Sequence, residues 1–177
     1  MTPSSIGKNG FLLAAFAVFM AAVLAFTYEG TKGHIEIAGR EAEKKALLAI
    51  IPDERFDNDL LVDVVTIPET AETILGKVAG ESIYLAKKNR QVIAAIIPAM
   101  APDGYSGDIK LIAGINADGT IAGVRVLTHK ETPGLGDKVD LKKDDWILSF
   151  NELSLNKPKE EGWAVKKDGG QFDQFTG

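Results

Sequence analysis

The chain is expected to fold as an α+β protein, with one N-terminal transmembrane helix followed by one domain built on a mainly antiparallel sheet. Three observations carry this expectation. Residues 11–26 read FLLAAFAVFMAAVLAF, an unbroken apolar run. Five short β-rich runs follow: LLVDVVTI at 60–67, SIYLAKK at 82–88, QVIAAII at 91–97, IKLIAGI at 109–115 and TIAGVRVL at 120–127. Between the last two stands Asn116-Ala117-Asp118-Gly119, and Asp-Gly tolerates the positive φ that a tight hairpin turn needs.

Extended by Gly10 and Thr27 at its edges, the apolar run covers residues 10–27. At a helical rise of about 1.5 Å per residue it spans roughly 27 Å, close to the ~30 Å hydrocarbon core of a bilayer. Tyr28, a residue suited to the membrane interface, follows it, so the anchor is placed at about 10–28 within an N-terminal segment 1–28. A cleaved secretory signal is the competing reading, because Lys8 precedes an apolar stretch near the amino terminus. Against it, the run is long for a signal, and Phe26 and Tyr28 stand where a cleavage site wants small residues. Charge does not orient the span: Lys8 lies before it, whereas Lys32, Arg40, Lys44 and Lys45 lie after it.

The remaining residues, 29–177, are assigned to one domain, since 177 residues at 45% hydrophobic suit one ordinary core plus an appendage. The stretch IAGREAEKKALLAIIP places Ala42, Ala46, Ala49 and Ile50 at helical spacing between charges and stops at Pro52. It reads as an amphipathic stalk helix at about 38–51.

Composition narrows the function. Lys and Arg total 20 against 25 Asp and Glu, a formal net charge of -5. No basic aromatic stripe is present, so nucleic acid is not an expected partner. Cysteine is absent, which removes disulfides, thiolate chemistry and iron–sulfur ligation. His34 and His129 are too few and too far apart for a zinc or haem site, and His129 with Glu131 makes two ligands without a third, so no metal is expected. Any electron chemistry therefore belongs to a borrowed cofactor.

The informative stretch is GYSGDIKLIAGINADGTIAGVRVLTHKETPGLGDKV, which begins at Gly104. It ends in Glu131-Thr132-Pro133-Gly134-Leu135-Gly136, where Pro133 fixes its own φ and the glycines open conformations closed to other residues. A loop so shaped brings main-chain amides close to a flat ring or an anionic group; a plain connecting loop punctuated by Pro and Gly is the other reading.

A GYSG turn, two strands joined by Asp-Gly, then HKETPGLG is similar to the flavin mononucleotide (FMN) binding domain shared by the RnfG family of Rnf electron transport complexes and component C of the Na⁺-translocating quinone reductase. The tail, WAVKKDGG followed by QFDQFTG, resembles the RnfG family in particular, and the layout matches over nearly the whole chain. The resemblance implies FMN as cofactor, attached in that family through its phosphate to the last threonine of a Ser/Thr-Gly-Ala-Thr motif. Thr176-Gly177 match the first half of that motif, so the acceptor is expected two positions beyond Gly177. The cofactor-binding set is then Glu131, Thr132, Gly134, Leu135, Gly136, Lys166, Thr176 and Gly177, with no catalytic residue. Glu131 and Thr132 bond either the flavin ring edge or their own loop. Lys166 and Lys167 either place positive charge near the flavin or end a solvated hairpin. Tyr105 and Ser106 are read as turn residues, Trp146 and Trp163 as core aromatics.

The function so implied is that of an FMN-carrying electron-transfer subunit of a membrane-bound, ion-translocating Rnf-type oxidoreductase complex, not catalytic alone. The expected setting is the bacterial inner membrane, single-pass, with the FMN domain on the periplasmic side and the other Rnf subunits and the lipid bilayer as partners. Two alternatives stand beside it: a protein like component C of a Na⁺-translocating quinone reductase, and a noncatalytic membrane-anchored binding or scaffold module.

Overall fold

The computed structural model describes residues 3–175 and divides into two compact units, one ending at Glu43 and one beginning at Lys44. A single helix, α1 (Pro3–Leu48), holds both the expected anchor and the expected stalk, with no break between them at residue 38.

Within the first unit, α1 contains a stretch long and apolar enough to cross a membrane, with a mean hydropathy of 2.4 and none of its surface buried by the protein. Phe11, Leu13, Phe16 and Leu24 are all exposed. Such a surface is stable only against lipid or another protein, because in the helix every backbone group is already satisfied and only apolar side chains remain to be covered. At its edge the Thr27 hydroxyl donates to Val23 O at 2.8 Å and the Thr31 hydroxyl to Thr27 O at 2.8 Å, so these polar atoms are also satisfied along the helix.

The second unit is built on an antiparallel meander of β1 (Val64–Thr66), β2 (Ser82–Lys88), β3 (Gln91–Ala101), β4 (Ile109–Asn116) and β5 (Ile121–Thr128), in that spatial order. The β4–β5 turn forms where Asp-Gly predicts it: Gly119 has φ +85°, and Asn116 N donates to Thr120 O at 2.8 Å. The β2–β3 turn is made instead by Asn89 and Arg90, both at positive φ without a glycine, a conformation that asparagine tolerates and arginine adopts at some cost.

Along β3, Ala94, Ile96 and Pro98 are buried at every second position. Ala94 and Ile96 pack with Ala86 of β2 and Ile112 of β4 against Leu47, Ile50, Ile51 and Leu60 to form the core. In β4 the buried positions Ile109 and Ile112 are three apart because a bulge between Lys110 and Leu111 restores the inward face. Gly114 is buried against Ile50; a Cβ there would lie 2.3 Å from Ile50 Cγ2, so the helix end docks on the sheet only over a glycine.

Three expectations are corrected. Ala42 and Ala49 are exposed, and Leu47, Ile50 and Ile51 do the packing at the end of α1. Residues 60–63 are a turn and not the start of a strand, because Asp59 accepts Leu61 N on its side chain at 2.9 Å and Val62 N and Asp63 N on its carbonyl. β3 runs on through Pro98 to Ala101; Pro98 lies opposite Ile112 of β4, past the last β2 pair, Tyr84 with Ile96, where a missing N–H is tolerated.

Candidate functional site

After β5 regular structure gives way to 3-10 turns, and the loop 129–136 is the first feature built there. Glu131 is its anchor. It is buried, Oε1 accepts from Ser106 N at 3.1 Å, and its own N–H donates to His129 Nδ1 at 3.1 Å. The bond to Ser106 ties the GYSG turn to the loop. Gly104 makes room for it, since a Cβ there would lie 2.8 Å from Glu131 Oε1 and 2.3 Å from Gly107 O. His129 is thus a main-chain acceptor, and no group of three metal-ligating side chains occurs among the described residues.

The loop closes on itself. Leu135 N and Gly136 N both donate to Thr132 O, at 3.1 and 3.0 Å, and Gly134 N donates to Asp137 Oδ1 at 2.7 Å. Gly134 has φ +78°, with open space where a Cβ would stand, so a side chain there meets a backbone penalty and not a clash. All three amides are therefore used within the loop, and what it offers outward is side chains: the exposed Thr132 and the half-exposed Leu135. The second oxygen of Glu131, Oε2, is buried without a hydrogen-bond partner among the described residues. A buried carboxylate oxygen lacking a donor is costly and marks a place where a donor is wanted.

Asp137 is a site residue that the sequence reading did not select. It is only 7% exposed, and the signal for it is the aspartate three residues after Gly134 in Pro-Gly-Leu-Gly-Asp. It opens the 3-10 turn Asp137–Val139, which packs on a second 3-10 helix, Asp145–Phe150. Beside them lies a groove of about 320 Å³, lined by Lys138, Asp144, Trp146, Ser149, Asp173 and Phe175 among others. Trp146, taken from the sequence as a core aromatic, faces this groove, and Trp163 does pack inside, stacked with Phe150. Lys166 stands on the 3-10 turn Lys166–Asp168, exposed and ion-paired with Asp173. Lys167 is exposed on the same turn. Thr176 and Gly177 lie outside the described residues.

The residues fit a flavin. Its ring is apolar on both faces and carries an N–H donor on one edge, matching the exposed Leu135 and the donor-less Glu131 Oε2. Thr132 adds a hydroxyl able to donate or accept. A meander domain with this loop, joined to a helix of membrane-crossing length, defines a membrane-anchored FMN-binding protein. In agreement, the family model of the FMN-binding domain matches residues 104–177 and that of the RnfG N-terminal region matches residues 1–50.

The chain belongs to the RnfG family, the G components of the ion-translocating oxidoreductase complexes. It is 45% identical over 172 residues to the ion-translocating oxidoreductase complex G component from Pseudoalteromonas atlantica, covering 97% of this chain and 79% of the relative. Against the Pseudomonas aeruginosa protein of the same name it is 45% identical over 176 residues, 99% of this chain and 81% of the relative. The Vibrio cholerae protein is 42% identical over 174 residues, 98% and 82%.

Proposed function

We propose that this chain is the FMN-carrying electron-transfer subunit of an ion-translocating, Rnf-type oxidoreductase complex. It acts as a part of that redox translocase and not as an enzyme by itself. The observation that carries the reading is the buried Glu131 Oε2, an acceptor without a donor, inside the region matched by the FMN-binding domain. FMN, when bound, supplies one- and two-electron redox chemistry on a single ring. The chain's part is to hold and tune it. Glu131 would accept from a flavin N–H, Thr132 would bond a polar edge and Leu135 would cover an apolar face, while the internally bonded loop of Gly134, Gly136 and Asp137 keeps these three in place. Lys166 contributes little net charge there, since Asp173 neutralises it in exposed surroundings.

Attachment is through a phosphoester between the FMN phosphate and Oγ of the threonine two positions beyond Gly177, formed with net loss of one water; Thr176 and Gly177 lead into it. Tethering keeps the ring at high local concentration even while it faces a partner. The partners are the other subunits of the complex, as the relatives' shared name implies for them, and α1 anchors the chain as a single pass in the bacterial inner membrane. The FMN domain, from residue 29 onward, faces the periplasm. A single helix leaves ion passage to those partners.

Flavin attachment is tested on a chain that continues through Ala-Thr after Gly177. Its denatured band should fluoresce on a gel, and replacing that threonine by valine should abolish the fluorescence; persistence in the variant refutes the acceptor. Side of the membrane is read by fusions at the carboxyl end: alkaline phosphatase should be active and a cytoplasmic fluorescent reporter dark, the reverse pattern overturning the topology.

A further inference from the structure

The two edges of the sheet differ. At β5 the edge is closed where Ile121 N donates to Leu153 O at 2.7 Å and Ile121 O accepts from Glu152 N at 2.8 Å. At the other edge β1 pairs with β2 alone, and Val64, Val65 and Thr66 are all exposed. Leu85 N donates to Asp63 O at 2.9 Å and Ile67 N to Glu81 O at 2.8 Å, so the odd-numbered residues bond β2 and the main chain of Val64 and Thr66 faces away from it. Val64 N turns back to Val62 O at 3.0 Å, which leaves Val64 O, Thr66 N and Thr66 O open. Side chains add apolar surface to this edge: Val62 is 74% exposed, Val65 50% and Val64 40%. Such an edge invites pairing, and Val64–Thr66 contains none of the usual guards, a lysine, a proline or a bulge.

The flanks of β1 are acidic. Asp57 N donates to Lys87 O at 2.9 Å, so the chain ahead of β1 follows the same edge of β2. Asp53, Glu54, Asp57 and Asp59 are exposed before the strand, and Glu69 and Glu72 after it. The only base in residues 53–72 is Arg55, which donates to Asn116 Oδ1 at 2.8 Å. Of the lysines that β2 carries at this end, Lys87 pairs with Asp63 and Lys88 donates to Glu54 O at 3.1 Å.

We infer that the β1 edge is a docking surface for an extended segment of another subunit of the complex, apolar at its centre and carrying Lys or Arg at both ends, which adds to the sheet as a further strand. The inference rests on the proposed place of this chain in that complex and names the kind of partner segment it takes. Main-chain bonds to Val64 and Thr66 and cover for the valines supply affinity, and the acidic flanks select a cationic segment. A second copy of this chain fits poorly, since acidic flanks would face acidic flanks, and an anionic lipid surface is repelled in the same way.

The test compares the detergent-extracted complex with the full chain alone in detergent. A benzophenone amino acid placed at position 64 and illuminated in the complex should crosslink to another subunit, at a segment with an apolar core between Lys or Arg residues. Amide exchange at Thr66, whose N–H is open in the chain alone, should slow about tenfold in the complex, as a new main-chain hydrogen bond requires. Thr66→Pro removes that donor, and Glu69→Lys with Glu72→Lys reverses the charge of one flank. Each change should lower the share of the chain retained with the other subunits about tenfold, while β3 and β4 keep their exchange protection. If Thr66→Pro disturbs the fold, the charge-reversed variant decides, because both glutamates are exposed. A crosslink to a second copy, to lipid alone or to a segment without basic ends overturns the docking surface. So does Thr66 exchange equal in complex and free chain, or full retention of the charge-reversed variant. Failure of the other subunits to co-purify with the wild-type chain overturns the proposed complex itself; in failure of the edge alone the complex stays intact and Thr66 exchanges freely within it.

Discussion

The meander of β2–β5 and the glycine-rich region after Thr128 belong to one domain but are held together by different means. In the meander, aliphatic side chains repeat at strand spacing and meet the end of α1, and main-chain pairing does the rest. In the region after Thr128 the described residues form short 3-10 turns and isolated bridges, and the order comes from single contacts: Glu131 with Ser106, Asp137 with Gly134, Trp146 with Asp173, and Phe172 stacked on Phe150 and tilted against Trp163. The meander is therefore redundant, with each contact backed by neighbours of the same kind. The later region is specific, so one lost contact frees one loop. This suits a cofactor site, which has to place a few polar atoms and still admit a ligand.

The comparison predicts where damage spreads. The largest effect is expected from Ile96→Ala: Ile96 is fully buried at the centre of β3, and its loss should cost about 3–4 kcal/mol and lower the melting temperature of the whole domain. Calorimetry of the detergent-solubilised chain checks this. Phe172→Ala should cost somewhat less, about 3 kcal/mol. Hydrogen exchange should locate that loss in residues 160–175, with β3 and β4 keeping their protection; an equally global effect would erase the distinction between the two regions. Smaller again is Gly134→Val, which forces a β-branched residue to positive φ at a cost of about 1–3 kcal/mol. Faster exchange confined to 129–139 and weaker flavin incorporation are expected. Normal incorporation would reduce the loop to punctuation.

The smallest effect concerns the sheet side at acid pH. Lys87 donates to the Asp63 carboxylate, Asn58 Nδ2 also donates to it at 2.7 Å, and these bonds hold the Asp63 carboxyl below the usual carboxylate range. Because the folded pKa is depressed, the contribution is complete above the ordinary value of about 4 and disappears as pH falls through the folded pKa. Asp63→Asn should flatten the stability profile below about pH 4 and leave the neutral-pH flavin site untouched. Identical acid profiles for variant and wild type would show that the pair adds nothing.

Much of the meander was legible in the sequence. Short β-rich runs bounded by turns located β2, β4 and β5 to within a residue or so, and Asp118-Gly119 announced its hairpin. The apolar run 11–26 is likewise a local pattern, and it lies in α1 as expected. In the candidate site, the motif drew attention to Glu131, Thr132, Gly134, Leu135 and Gly136, whereas Asp137 passed unselected because a lone aspartate after a glycine has many uses.

By itself, then, the sequence determined what depends on neighbours along the chain: strand period, turn chemistry, the length of the apolar helix and the motif that marks the flavin domain. Tertiary structure alone decided that Asn89-Arg90 could turn a hairpin without glycine, that Leu47, Ile50 and Ile51 rather than Ala42 and Ala49 meet the sheet, and that Trp146 reaches Asp173. The physical reason is that the last two join residues tens of positions apart, and the turn too is held from a distance, Asn89 N donating to Asp57 Oδ2 at 2.8 Å. Their energies depend on distances and angles that exist only after the sheet has closed, and no local pattern of residue types encodes which distant carbonyl an indole N–H will find.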